Sequence, residues 1–266
     1  GGGTGKIRPS GGEDHSVDLK SEFKVDEGRF IDLGTQVMRR PEVFRSYRPN
    51  EVNENERAGV ALGYRTEMVE WTDSVELRGY YQRKEDRRAW LDSEKRGEAQ
   101  WDTFSADMQL KKRVGETHRL TGGLHAQTDL AESPDDEQFT IWTPDMGEQK
   151  ASPDTEWNNV GVFLQDEWSF APRWRLIPSY RYDHFWFEAD DTLFYTIPGS
   201  TSPDNRPTRD PGEFTEDSHT GGLGLAFDVT ESWSLIGSWF RGYRLFPPSF
   251  GLRQLGYGVL APNGLL

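Results

Sequence analysis

The chain has no cysteine, which excludes a disulfide framework, a thiolate nucleophile and a zinc ribbon. It also lacks any run near the roughly 18 apolar residues of a transmembrane helix, so a helical membrane protein is excluded. Apolar residues are scarce, at 34% with a mean hydropathy of −0.81; soluble domains usually carry roughly 45–50%. Positive charge is short as well. Lys and Arg total 31 against 45 Asp and Glu, a net charge of −14, and a phosphate backbone needs the opposite sign. Aromatic residues, in contrast, are plentiful, with 10 Trp, 9 Tyr and 15 Phe in 266 residues. A solvating tail does not carry so many rings. They are buried or docked somewhere without a thick apolar core.

The recurring period is two. Ala58, Val60, Leu62, Tyr64, Thr66 and Met68 alternate with Arg57, Gly59, Ala61, Gly63, Arg65 and Glu67. Val75, Leu77, Gly79 and Tyr81 alternate with Glu76, Arg78 and Tyr80, and Leu120, Gly122, Leu124 and Ala126 alternate with Arg119, Thr121, Gly123 and His125. Such runs are strands with one apolar and one polar face. Ten are expected, at 16–24, 29–39, 56–69, 74–83, 101–112, 117–127, 157–169, 174–187, 218–228 and 233–243. The connections between them alternate strictly between short and long. The long ones, at 40–55, 84–100, 128–156 and 188–217, are polar and rich in Pro, Asp, Glu and Gly.

A soluble sandwich gives no reason for that alternation. A transmembrane antiparallel β-barrel does, with tight turns on the periplasmic side and long loops outside. Strands of this length span a bilayer when tilted, and a polar lumen accounts for the low hydropathy. Trp168, Trp174 and Trp233 sit beside short connections and Trp71 lies within one, where an interfacial girdle belongs. On this reading Arg57, Arg65, Glu67, Arg78, Arg119, Gln165, Glu167, Arg181 and Asp183 face the lumen. Ten strands that begin and end in outer segments are part of a larger barrel.

Other motifs carry little chemistry. Gly1–Lys6, GGGTGK, lacks the Ser or Thr, the preceding strand and the following helix of a phosphate loop. Asp183 and His184 are strand neighbours that point to opposite faces and cannot share one metal. His125 and Asp107 both lie on polar faces, but strand pattern alone does not bring them to one height. Asp190-Asp191, Asp135-Asp136 and Asp166-Glu167 are adjacent, which does not supply two carboxyl groups across a cleft. No catalytic residue, metal site or cofactor is expected, and no enzyme.

Two stretches are more specific. Val160–Trp168, VGVFLQDEW, precedes a tight turn at Ala171-Pro172-Arg173-Trp174 and then Arg175–Phe185, RLIPSYRYDHF. Trp239–Leu255, WFRGYRLFPPSFGLRQL, leads to Ala261-Pro262-Asn263-Gly264-Leu265. The first resembles the strand–turn–strand signature of TonB-dependent outer-membrane receptors, and the second their Gly-Phe-Arg-Ala-Pro-Ser and Asn-Pro-x-Leu elements. The second departs from the pattern: Tyr243-Arg244 stands for Phe-Arg, Leu245-Phe246 intervenes before Pro247-Pro248-Ser249, and Gly264 follows Asn263 where Pro is usual. No His occurs from Tyr243 to Asn263, where haem-uptake members tend to carry one.

The resemblance implies part of a barrel of 22 strands, with residues 1–266 covering a partial barrel domain and neither the plug domain nor the barrel C-terminus. It implies energy-coupled uptake of a scarce ligand, a ferric siderophore, cobalamin, haem or glycan, across the bacterial outer membrane. The implied partners are outer-membrane lipid, the plug, the TonB complex and a small-molecule or metal-chelate ligand, with no nucleic acid. Phe139, Trp142, Phe194 and Tyr195 in long loops, with Arg244 and Arg253, are the candidate ligand contacts, because rings give area at small entropic cost. The alternatives are a plug-free porin and a secreted Trp-rich carbohydrate-binding β protein.

Overall fold

Alternation of apolar and polar side chains becomes one antiparallel sheet in the computed structural model, which describes residues 11–45, 48–67, 69–91, 96–132, 154–189 and 213–242. The strands are β1 (Gly11–Gly12), β2 (His15–Asp26), β3 (Arg29–Arg45), β4 (Arg48–Thr66), β5 (Ser74–Trp90) and β6 (Arg96–Val114). They continue with β7 (His118–Glu132), β8 (Thr155–Ala171), β9 (Trp174–Ala189), β10 (Glu213–Thr230) and β11 (Trp233–Arg241). From β3 onward each strand pairs with the next in sequence, and β1 and β2 both pair with β3. The described residues contain no helix.

All ten expected strands are present, and the turns that join them set their register. Gly28 and Gly115 adopt φ of 76° and 61°, a left-handed conformation that glycine enters without a Cβ penalty. Each closes a tight turn, between β2 and β3 and between β6 and β7. The β6–β7 turn pairs Arg113 with Arg119 and carries that register to Gln100 and Glu132.

The two faces differ sharply. Successive direct partners Tyr64, Leu77, Met108, Leu124, Val162 and Tyr182 form one cross-strand row on the apolar face. No second layer covers that face among the described residues: Leu62 is 58% exposed, Leu164 55% and Leu235 64%. Buried hydrophobic residues are few, chiefly Trp157, Phe187 and Ala189 with Phe185 packed on them. Burying one large apolar side chain contributes about 1.5–3 kcal/mol, so a face of this extent left in water would be a large liability. In the transmembrane barrel expected from the sequence, lipid would remove it. The expected girdle lies at the tight-turn end, where Trp168, Phe170, Trp174 and Phe227 run ring to ring at 5.7, 6.5 and 4.3 Å.

Most strands are longer than the alternation indicates, by up to eight residues at the end away from the tight turns and by no more than two at the other. Residues expected in the connections at 40–55 and 84–100 extend β3, β4, β5 and β6. The cause is a lattice of charges above the apolar band, on the same face. Arg39 reaches Glu54 and Glu56 at 2.7 and 3.0 Å, and Arg87 reaches Glu85, Glu98 and Glu56 at 2.7, 3.2 and 3.6 Å. Cross-strand ion pairs hold the hairpins together where both faces are polar, and apolar periodicity cannot mark them. Arg83 donates two 2.9 Å bonds to Asp102. That guanidinium, with Tyr81 and Gln100, holds the Asp102 carboxyl below the usual carboxylate range.

Candidate functional site: the polar face

The polar face carries a continuous row of direct cross-strand partners: Glu22, Asp32, Gly63, Arg78, Asp107, His125, Gly161, Asp183 and Ser218. It crosses from β2 to β10. His125 Nδ1 lies 2.7 Å from Asp107 Oδ1, so these two residues do meet. Counting back from the β6–β7 turn would have paired them, since that turn sets Arg113 against Arg119.

The two halves of the VGVFLQDEW and RLIPSYRYDHF stretch interlock on this face. Arg181 grips Asp183 through Nε at 2.7 Å and Nη2 at 2.6 Å, and Asp183 is buried with 6% exposure. Gly161 makes room for the pair. A Cβ at that position would touch Asp183 Oδ1 and stand 2.7 Å from Arg181 Nη2. Asn159 adds a 3.4 Å bond to Asp183 from its amide. Nearer the tight turns, Glu167 takes Arg175 at 3.0 Å and Arg119 at 3.7 Å, and Arg175 continues to Asp228 at 3.2 Å. Arg65 reaches Glu22 at 3.4 Å and lies 4.5 Å above the Phe30 ring. Arg78 pairs with Glu76.

Of the residues assigned from sequence to the lumen, Arg57, Arg65, Arg78, Arg119, Gln165, Glu167, Arg181 and Asp183 share this face by register. Glu67 follows the end of β4 and donates its backbone N–H to Gly28 O at 2.8 Å. The loop candidates Phe139, Trp142, Phe194, Tyr195, Arg244 and Arg253 lie outside the described residues, as do the GGGTGK stretch and most of the Trp239–Leu255 segment.

A further group at the long-loop end escaped the sequence reading. Lys84 bonds Asp86 at 2.9 Å and sits 4.5 Å over the Trp101 ring, with Arg57 as its direct partner across β4 and β5. Trp157 packs against Phe185 and Phe187 at 5.7 and 6.3 Å. Thr103 and Gln127 both donate to Asp129, at 2.5 and 2.7 Å. The signal was parity: odd positions of β6, β7 and β8 carry polar and aromatic groups together. Chemically this is a surface of rings, amides and paired charges suited to holding a polar ligand. It offers no nucleophile–base pair, and no group of three or more potential metal ligands occurs among the described residues.

Residues 9–264 match the family described as TonB dependent receptor-like, beta-barrel. No curated protein sequence matches the chain. Among solved structures, the copper transporter OprC is similar with a TM-score of 0.67 and 16% identity, over 86% of this chain and 38% of that one. The FrpB iron transporter from Neisseria meningitidis gives 0.64 and 16%, over 90% and 39%. A double mutant of the Serratia marcescens hemophore receptor HasR, in complex with hemophore and heme, gives 0.58 and 16%, over 86% and 36%. The chain thus spans less than half the length of these neighbours. At these identities the likeness shows the fold, and the family match sets aside both the porin and the secreted carbohydrate-binding readings. The family consists of outer-membrane transporters rather than enzymes, and this chain belongs to it: it is part of the β-barrel of a TonB-dependent receptor.

Proposed function

We propose that this chain is wall and vestibule of an outer-membrane receptor that imports a scarce ligand with energy from the TonB complex. The apolar face meets lipid. The polar face lines the lumen, where Arg78, Asp107, His125 and the Arg181–Asp183 pair contact the plug. The group around Lys84, Trp101 and Trp157, together with Phe139, Trp142, Phe194, Tyr195, Arg244 and Arg253, faces incoming ligand. A ferric siderophore, cobalamin, haem or a glycan each suits a surface of rings, amides and charges. The neighbours carry copper, iron and heme in their names, which weights the reading toward a metal or its chelate.

The supporting observation is the charged row crossing the polar face from Glu22 to Ser218. Such groups need water or a protein partner, because an unpaired buried charge is costly. The test is uptake by the full-length protein in outer membranes, with a panel of radiolabelled ferric siderophores, cyanocobalamin and haemin. Accumulation of one of them that stops on adding a protonophore supports energised transport. Uptake that persists unchanged indicates passive passage instead.

A further inference from the structure

The apolar face is not evenly filled. Gly79, Ala106 and Ala126 are direct partners in one cross-strand row, and their small side chains leave a trough across β5, β6 and β7. Tyr81 and Phe104, with ring centroids 4.9 Å apart, form one bank; Leu77, Met108 and Leu124 form the other. The banks are four residues apart along the strands, about 13 Å at about 3.3 Å per residue. Two adjoining hollows of about 770 and 460 Å³ share Leu62, Gly79, Ala106 and Ala126.

The row does not end in hydrocarbon. Beyond Ala126 it passes Val160 to His184 and then Asp217. His184 Nδ1 lies 2.8 Å from Asp217 Oδ1, and Tyr182 donates its hydroxyl to the same oxygen at 2.6 Å. Beside them the Tyr180 hydroxyl and His219 Nδ1 are 2.6 Å apart. Tyr182 also lines the larger hollow, so a single ring joins the apolar trough to the polar cluster. The slope of the row matters. Leu62 sits in the middle of the apolar run on β4, whereas His184 stands beyond Tyr182 on β9, with the Trp186 ring next to it on the outer side at 5.6 Å. The trough therefore descends from the outer polar boundary to the centre of the band. From Tyr182 on β9 to Gly79 on β5 the larger hollow crosses four strand spacings, about 19 Å at about 4.8 Å each, the reach of a fatty-acyl chain.

We infer that this face carries a dedicated lipid site, in which one acyl chain of an outer-boundary lipid lies along Gly79, Ala106 and Ala126. Its hydroxyl-bearing headgroup bonds the cluster of Tyr182, His184, Asp217 and His219. The carboxylate accepts hydrogen bonds from the headgroup, the imidazoles can donate or accept, and the rings cover its less polar side. The inference rests on the proposed membrane orientation, in which the apolar face meets lipid.

The test uses full-length protein purified in mild detergent and titrated with palmitoyl-oleoyl-phosphatidylglycerol, with bound lipids counted by native mass spectrometry. The parent retains one lipid per barrel more tightly than the rest. Ala106→Leu fills the trough and weakens that one lipid by about tenfold. The double variant His184→Gln, His219→Gln weakens it without touching the trough, and Val17→Leu, on the same face with β3 and β4 between it and the trough, leaves it unchanged. Equal retention by parent, Ala106→Leu and the double variant, all folded by their heat-dependent gel mobility, overturns the lipid site while leaving the receptor reading intact. Failure of the parent to fractionate with outer membranes removes the receptor reading itself.

Discussion

The ring of Phe163 lies over Gly123, its direct partner across β7 and β8, so closely that a Cβ on residue 123 would stand 2.6 Å from ring atom Cε1. The same Cβ would also press on the backbone carbonyl oxygen of Met108. A glycine here lets an aromatic ring lie flat across the strand, and the ring replaces the contacts that glycine lacks. At Gly161 the crowding comes instead from the ends of Arg181 and Asp183, which can move. Gly123→Ala therefore costs more than Gly161→Ala, about 2–3 against about 1 kcal/mol. Urea unfolding midpoints of the full-length variants, refolded into one detergent, give the order.

Loss of one cation should matter far more at Arg181 than at Arg78. Asp183 has a side chain only 8% exposed, and without Arg181 it is left as a nearly buried carboxylate. Arg78 is 67% exposed against Glu76. Arg181→Ala costs about 1–3 kcal/mol, the penalty of an unmatched buried group, and Arg78→Ala about 0–1 kcal/mol, as for a surface pair. The same unfolding measurement separates them.

Face assignment predicts opposite outcomes for two arginines. Leu62→Arg places a cation on the lipid side near the middle of the band, at about 2–4 kcal/mol. Ser105→Arg puts it on the polar face. Folded protein recovered in outer membranes should drop for the first and hold for the second; equal yields would refute the assignment.

The charged lattice above the band sets a pH dependence. The carboxyl of Asp102 lies below its ordinary range because of Arg83, so its contribution to the folded hairpin is complete above the unfolded value of about 3.9. It is lost as pH falls through the lower folded value. Hydrogen-exchange protection factors at the outer end of β5 and β6, corrected for the intrinsic rate, should be flat from neutral pH down to about 5 and fall only in stronger acid. Asp102→Asn should lower protection from neutral pH down to that acid range and make little difference below it.

Strand cores were legible wherever one face is apolar and the other polar, as at Leu120, Gly122 and Leu124. Their outer extensions were not, because Arg83, Glu85 and Arg87 face the same way as Tyr81 and erase the contrast between faces. Pairing across the regular β6–β7 turn was within reach of counting, and it yields Asp107 opposite His125; across β8 and β9 an irregularity between Trp168 and Ala171 shifts the count by one, so Gly161 opposite Asp183 was not. Nor was pairing across long connections. The meeting of His184 and Tyr182 with Asp217 does not follow from sequence, because residues 190–212 set no register by their length, and the slope of the Gly79–Ala106–Ala126 row does not because the connections from β5 to β6 and from β7 to β8 set none either. The aromatic group of Trp157, Phe185 and Phe187 was hidden because it lies on the polar face, beyond the apolar run.

Which face meets lipid can be read from nitroxide labels on single cysteines, introduced one at a time from residue 58 to residue 65 and from 120 to 127 of the full-length protein in bilayers. The chain has no cysteine to interfere. Molecular oxygen concentrates in hydrocarbon and a nickel chelate stays in water, so the two relaxation agents report opposite surroundings. Oxygen accessibility should peak at residues 58, 60, 62 and 64 and again at 120, 122, 124 and 126, with the intervening positions low. A pattern of the opposite phase, or no period of two, would contradict a barrel wall with this face in the membrane.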